Sequence, residues 1–273
     1  MGADQSTGGK GKKVIASKLD SAMKTGVLNL GDLDLKAFSP VWVSLQLDGL
    51  NIKIKTLDVS GNSIKGIPNE VLSAENMKIF HASRCSLQRT PDMSLLTRLQ
   101  QINLDKNDLE SDVIGDLPIS LKYVNLSVNH FSTFPTALHT LVNLTELNFS
   151  GNRLKSVEGV EHLVSIVSLN LDDNLLTEVI ADFSTLRFLK LLSLQRNLLQ
   201  PRCECDPSKQ SFSEELFTKT SLDHLNLTGN IRLRKADVLK MSGIESFLER
   251  RRRQKDKALQ QGALTDHSLF GIE

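Results

Sequence analysis

Leu57–Asp58–Val59–Ser60–Gly61–Asn62–Ser63–Ile64 is the stretch that decides how the rest is read: an alternating apolar pair, an Asn three residues on, then one more apolar residue. The same form, LxLxxNxL, returns at Ile102 to Leu109, Val124 to Phe131, Leu147 to Leu154, Leu169 to Leu176 and Leu192 to Leu199. With Asn as marker, and Cys85 filling the same slot, the markers fall at 62, 85, 107, 129, 152, 174, 197 and 230. The steps are 23, 22, 22, 23, 22 and 23 residues, followed by one of 33. A degenerate copy precedes them at Leu28–Asn29–Leu30, with Leu33 in the marker slot. Self-similarity at a fixed short period is the signature of stacked structural units.

Elementary physics gives each position a task. The alternating apolar pair points inward from a short strand. The marker Asn sits where the chain turns, and its amide is expected to satisfy backbone groups of the next coil that burial would orphan. Pro68, Pro91 and Pro135, each six residues past a marker, shape the convex return segment. One coil cannot bury its own apolar face, so stability comes from stacking and both ends need caps. The pattern is that of the leucine-rich repeat. It predicts an α/β solenoid: a leucine-rich-repeat horseshoe of about nine 22–23-residue repeats, with a parallel concave sheet and helical N- and C-terminal caps.

Ile15, Leu19, Ala22 and Met23 lie at helical spacing and end near Gly26, which places an N-terminal helical cap over residues 12–26. Residues 1–11 read as a flexible segment, 27–230 as the repeats with an insert at about 200–214, and 231–257 as a C-terminal capping helix. In that helix Val238, Met241, Ile244, Phe247 and Leu248 form the apolar face, and the run Arg250 to Arg253 takes the solvent side. Residues 258–273 read as a disordered tail.

Composition and charge narrow the function. The chain of 273 residues is 40% hydrophobic and 24% charged, with a net charge of +1, one Trp and one Tyr. No apolar run approaches the roughly 18 residues a membrane span needs, and the N-terminus has no secretory signal pattern. Three cysteines are too few for a disulfide framework, consistent with a reducing compartment. Residues 1–13 carry three Lys against one Asp, and residues 231–257 carry ten Lys/Arg against four acids, which leaves about −5 for residues 14–230. An acidic middle is unsuited to nucleic acid, whose affinity comes mostly from phosphate neutralisation.

The strand residues alternating with the inward pair face the concave side, where solenoids of this kind bind. The candidate partner-binding residues are Asp58, His81, Asn103, Asn125, Asn148 and Asn170 in the middle column, with Tyr123, Glu146 and His224 beside it on one side and Asp172 on the other. The five Asn of the column read either as a polar ladder that keeps the concave face hydrated or as a hydrogen-bonding surface for a partner. In the second reading Tyr123, His81 and Glu146 are the expected anchors, because large amphipathic side chains dominate interface energetics. None of the six histidines pairs with a Ser or Cys motif, and Gly8–Gly9–Lys10–Gly11 lacks the spacing of a phosphate loop. Cys203–Glu204–Cys205 supplies two of the four ligands that a structural zinc needs. The expectation is a non-enzymatic chain with no catalytic residue, no metal site and no cofactor.

Met1–Gly2–Ala3–Asp4–Gln5–Ser6 fits the M-G-x-x-x-[ST] pattern of N-myristoylation at Gly2. One acyl chain binds membranes only marginally and needs a second signal. Lys10, Lys12 and Lys13 follow directly and would supply it by attraction to an anionic leaflet.

With both ends read, the chain resembles the small intracellular leucine-rich-repeat proteins of the type called leucine-rich repeat-containing protein 57. The resemblance is carried by Met1–Gly2, by Lys24–Thr25–Gly26–Val27 leading into Leu30, by the repeats, and by Gly229–Asn230 ahead of a basic helix with Gly243, Phe247, Glu249 and Arg250. It covers most of residues 1–257; the Lys-rich spacer, the Cys203/Cys205 loop and the residues after Lys257 depart from it. The resemblance implies a non-enzymatic, lipid-modified scaffold; with the reading of Gly2, the lysines and the concave face, the expectation is a monomeric cytoplasmic adaptor on a membrane face that holds a protein partner. Leu144 to Val157 resembles the phosphatase-regulating repeat type, so the alternative is a soluble regulatory subunit of an enzyme such as a protein phosphatase. An RNA-binding solenoid using the Arg run ranks third.

Overall fold

The computed structural model describes residues 9–36, 53–201, 211–260 and 270. Gly2 and the Cys203/Cys205 loop lie outside the described residues, as does most of the expected tail. Helix α1 (Gly9–Thr25) leads into nine short strands: β1 (Val27–Asn29), β2 (Thr56–Asp58), β3 (Ile79–His81), β4 (Gln101–Asn103), β5 (Tyr123–Asn125), β6 (Glu146–Asn148), β7 (Ser168–Asn170), β8 (Leu191–Ser193) and β9 (His224–Asn226). They form one parallel sheet in chain order. Helix α2 (Glu214–Thr218) precedes β9, and α3 (Lys235–Val238) and α4 (Ile244–Gln260) follow it. This is the leucine-rich-repeat solenoid.

Each strand buries its central residue. Leu57, Phe80, Ile102, Val124, Leu147, Leu169, Leu192 and Leu225 stack in register under the sheet. The second apolar column, from Val59 through Leu104 and Phe149 to Leu227, is buried as well. Return segments close the core with short 3-10 turns at Asn69–Ser73, Thr136–Leu138, Val160–His162 and Phe183–Thr185. Pro68 and Pro135 stand immediately ahead of two of these turns, their φ near −70° suiting a turn entry.

The marker Asn residues form a buried polar spine. Asn152 Nδ2 donates to the carbonyls of Leu126 and Phe149, both at 3.0 Å, and its Oδ1 accepts from the Phe131 N–H at 3.1 Å. Asn107, Asn129, Asn174 and Asn197 repeat this arrangement. The direction differs from the expectation: each amide serves the preceding coil and its own, not the next. A residue with two donors and one acceptor on a short stem fits three orphaned backbone groups at once. Cys85 covers only the donor half, its thiol reaching the Val59 carbonyl at 3.2 Å. Burial pushes that thiol's pKa up, so it stays a protonated structural group.

One residue ahead of each marker the backbone is left-handed, at Gly61, Arg84, Lys106, Val128, Gly151, Asp173, Arg196 and Gly229. From Gly61 to Arg196 the turn aims the N–H at the next coil; Val128 N–H donates to the Ser150 carbonyl at 2.7 Å and Gly151 N–H to the Asp172 carbonyl at 2.8 Å.

The caps depart from expectation in several places. Helix α1 starts at Gly9, ahead of residue 12, so the tail end of the segment read as flexible is helical. Ala22 is buried and Ile15 and Leu19 pack beside it, but Met23 is exposed, turned off that face. The C-terminal cap is two helices, with Gly243 left-handed at φ 78° between them. Arg250 is not a solvated charge: its guanidinium donates to the carbonyls of Leu222 at 2.9 Å and Phe217 at 2.6 Å, and Arg251 reaches the Asp223 carbonyl. Phe270, placed in the disordered tail by its sequence, is 1% exposed and stacks on Phe247 with ring centroids 5.7 Å apart. Its carbonyl accepts from the Leu227 N–H at 2.8 Å, the bond that a further coil would otherwise supply.

Candidate functional site

The sheet register lays the outward strand residues in rows. Asp58, His81, Asn103, Asn125, Asn148, Asn170, Ser193 and Asn226 are direct cross-strand partners in sequence, forming one continuous row across the concave face. Adjacent members are about 4.8 Å apart, the spacing of paired strands. Ile79, Gln101, Tyr123, Glu146, Ser168, Leu191 and His224 form the second row.

Within the first row the asparagines are partly committed. The Oδ1 atoms of Asn103, Asn125, Asn148, Asn170 and Asn226 each accept from the backbone N–H two residues on, at 2.9 to 3.2 Å. Asp58 does the same toward Ser60 at 2.9 Å. These side chains therefore hold the turn after the strand, a standard use of Asn and Asp. What the Asn residues offer outward is the donor half of the amide. Asp172 is committed further: it is buried, its Oδ1 accepts from the Gln195 N–H at 2.7 Å, and burial raises its pKa. The sequence placed it on the binding face; the structure places it under the loop of the next coil.

Tyr123 and Glu146 are direct neighbours in the second row, Tyr123 half-buried and Glu146 exposed. Burial, then the charges of Glu146 and Asp105, push the Tyr123 hydroxyl above its ordinary pKa, so it remains a protonated donor. His224 is exposed, with Nδ1 2.8 Å from an Asp223 carboxylate oxygen. His81 is half-buried in the first row. The face thus holds one amphipathic anchor flanked by hydrogen-bonding groups of mixed character. Lys13 is exposed on α1, which also carries Lys10 and Lys12.

One cluster went unread in the sequence. His139 and His162 each lie ten residues past a marker, Asn129 and Asn152, and stack on the convex side with ring centroids 4.2 Å apart. They line a cleft of about 280 Å³ with Phe134, Glu158, Gly159 and Glu161. Burial and the neighbouring His162 lower the His139 pKa, and its Nε2 is buried without a partner among the described residues. The shared offset was the available signal. Among the described residues no three or more His, Cys, Asp or Glu side chains are grouped to hold a metal, and no helix is long and apolar enough to cross a membrane.

Comparison with known proteins agrees with this geometry. The Leucine Rich Repeat family model matches residues 53–74 and 143–163. Toll-like receptor 10 of Bos taurus is 30% identical over 158 residues, covering 56% of this chain and 19% of that protein. The leucine-rich repeat transmembrane protein FLRT2 of Rattus norvegicus is 33% identical over 159 residues, covering 55% of this chain and 24% of that protein. The chain therefore matches about a fifth to a quarter of the length of these relatives. Among solved structures, a leucine-rich-repeat protein of Leptospira interrogans superposes with a TM-score of 0.61 at 24% identity, covering 75% of this chain and 49% of that one. Fold and matches together define the class: a leucine-rich-repeat protein, whose scaffold is suited to protein–protein interaction.

Proposed function

We propose that the protein is a non-enzymatic adaptor, tethered to a cytoplasmic membrane face by a myristoyl group on Gly2 and holding a protein partner on its concave sheet. The observation that carries the partner-binding half is the pair of unbroken outward rows, which place Tyr123, Glu146, His81 and His224 on one surface. The tether is supported by the Met1–Gly2–Ala3–Asp4–Gln5–Ser6 pattern, by Lys10, Lys12 and Lys13 beyond it, and by the resemblance to small intracellular repeat proteins at both ends of the chain. Lipid and lysines act together, since neither alone gives stable attachment.

The test of the tether is the intact mass of the full chain expressed in eukaryotic cells. Loss of Met1 with a gain of about 210 Da is expected, together with membrane recovery that Gly2→Ala abolishes. Membrane recovery that survives Gly2→Ala, with an unmodified N-terminus, overturns it. A soluble chain that shifts the activity of a protein phosphatase would instead establish the regulatory-subunit reading.

A further inference from the structure

Along the side of the solenoid, the residue just before each strand forms a row of its own. Its members are tied by backbone bonds: the Gly26 carbonyl accepts from Lys55 N–H, the Lys55 carbonyl from Lys78 N–H, the Lys78 carbonyl from Gln100 N–H and the Gln100 carbonyl from Lys122 N–H, all at 2.7 to 2.9 Å. Lys55, Lys78 and Lys122 are exposed on this row. Two residues earlier in the coils stand Lys53 and Arg98, also exposed, and Lys24 projects from the last turn of α1 beside Gly26. A Cβ on Gly26 would lie 2.9 Å from the Lys53 carbonyl and 3.5 Å from the Lys55 side chain, so helix and row are in contact.

Six cations therefore share one edge. Arg98 donates to the neutral Asn76, and among the described residues none of the six has an ion-pair partner. Glu75 is the acidic residue on the same segment. Coils spaced about 4.8 Å apart put Lys55 and Lys122 about 14 Å from each other. Successive charges thus fall within a Debye length and act as one field. The fold does not demand lysine there. The same row continues as Thr145, Val167, Lys190 and Asp223 in the next coils, where Lys190 stands between a neutral and an acidic neighbour, so the cations cluster in the half of the solenoid that adjoins α1.

We infer that this edge is a membrane-docking surface for an anionic lipid leaflet, setting the solenoid on its side with the concave face accessible. The choice of a lipid surface rests on the membrane reading of the N-terminus; the charge itself is independent of Gly2. A flat edge of unpaired lysines recognises phosphate and carboxylate headgroups without requiring a pocket. Its contact with α1 at Gly26 joins the basic edge to the helix that begins seven residues after Gly2, so the two signals of a two-signal attachment stand on one continuous stretch of chain.

The test uses the full chain made in bacteria, with Gly2 unacylated, and vesicles of phosphatidylcholine with or without phosphatidylserine at low salt. Binding to the phosphatidylserine vesicles alone is expected. Lys55→Glu/Lys78→Glu/Lys122→Glu should weaken it about a hundredfold, three lysines each contributing about fivefold. The charge-matched control Lys235→Glu/Lys240→Glu/Lys257→Glu should not. All six side chains are exposed, and unchanged melting curves verify the folds. Vesicle binding that ignores the first triple variant overturns the proposal, as does tighter binding to a single-stranded RNA oligomer than to vesicles in the same buffer. If acylated protein binds vesicles equally with and without the triple change, the edge fails and the tether stands. If the triple change matters while the cellular protein carries no acyl group, the tether fails and the edge stands.

Discussion

Asn152 shows how much one side chain holds in a solenoid. Replacing it with Ala leaves the Phe131 N–H buried without its partner and removes one of two Asn donors from each of the Leu126 and Phe149 carbonyls, which keep Asn129 and Asn174. One orphaned N–H costs about 1–3 kcal/mol and two lost amide–carbonyl bonds about 0.5–1.5 kcal/mol each, so Asn152→Ala should destabilise the chain by about 3 kcal/mol, read as a lower urea midpoint. An unchanged midpoint would contradict the assigned role. Val128 carries the opposite prediction. It is a β-branched residue at φ 54°, 48% exposed, held there by its N–H bond to Ser150. Asn tolerates that conformation and little apolar burial is lost, so Val128→Asn should stabilise by about 1 kcal/mol, seen as a higher Tm. A lower Tm would mean that Val128 is held by packing rather than merely tolerated. The marker column was legible because Asn recurs in it; the left-handed row was legible at Gly61, Gly151 and Gly229 and in part at Asp173, since Val, Arg and Lys carry no such preference. The direction of the Asn bonds was not legible either, because spacing does not say which neighbouring coil lies within reach of the amide.

At the level of elements, three-residue strands and short turns have no independent stability, and the ends decide whether the stack persists. The apolar spacing of Ile15, Leu19 and Ala22 announced α1, and that of Val238, Ile244 and Phe247 announced helix at the other end. The break at Gly243 and the packing of Phe270 were hidden. One aromatic residue among the scattered apolar residues of the tail (Leu259, Leu264, Leu269, Ile272) shows no period, and its role depends on a third-dimensional neighbour, Phe247. Phe270 completes the cap with a ring in the core and a carbonyl on Leu227. Phe270→Ala should therefore cost about 3 kcal/mol and speed hydrogen exchange at the Leu227 amide more than at coils near the N-terminus. Exchange unchanged at Leu227 would show that α3 and α4 alone close the stack. Arg250 belongs to the same cap: a four-residue basic run divides between backbone carbonyls and solvent, a division composition alone cannot reveal.

For the whole molecule, the concave face, the basic edge and the N-terminal helix lie on one rigid ladder of strands, so an edge-down orientation leaves the two concave rows open to a partner. The candidate anchors were legible from alternation alone, because register in a repeat protein follows directly from the period. What alternation missed is that Asp58, Asp172 and the Asn row spend their acceptors on neighbouring backbone, which concentrates recognition on Tyr123, Glu146, His81 and His224. The most direct measurement is quantitative affinity capture from cells, comparing the full wild-type chain with Tyr123→Ala/Glu146→Ala and with the convex control His139→Ala/His162→Ala. Binding through the concave face predicts at least one protein reduced about thirtyfold or more by the first pair, as expected for an anchor worth about 2 kcal/mol, and retained by the second. Identical captures from all three, or a loss confined to the convex pair, would contradict it.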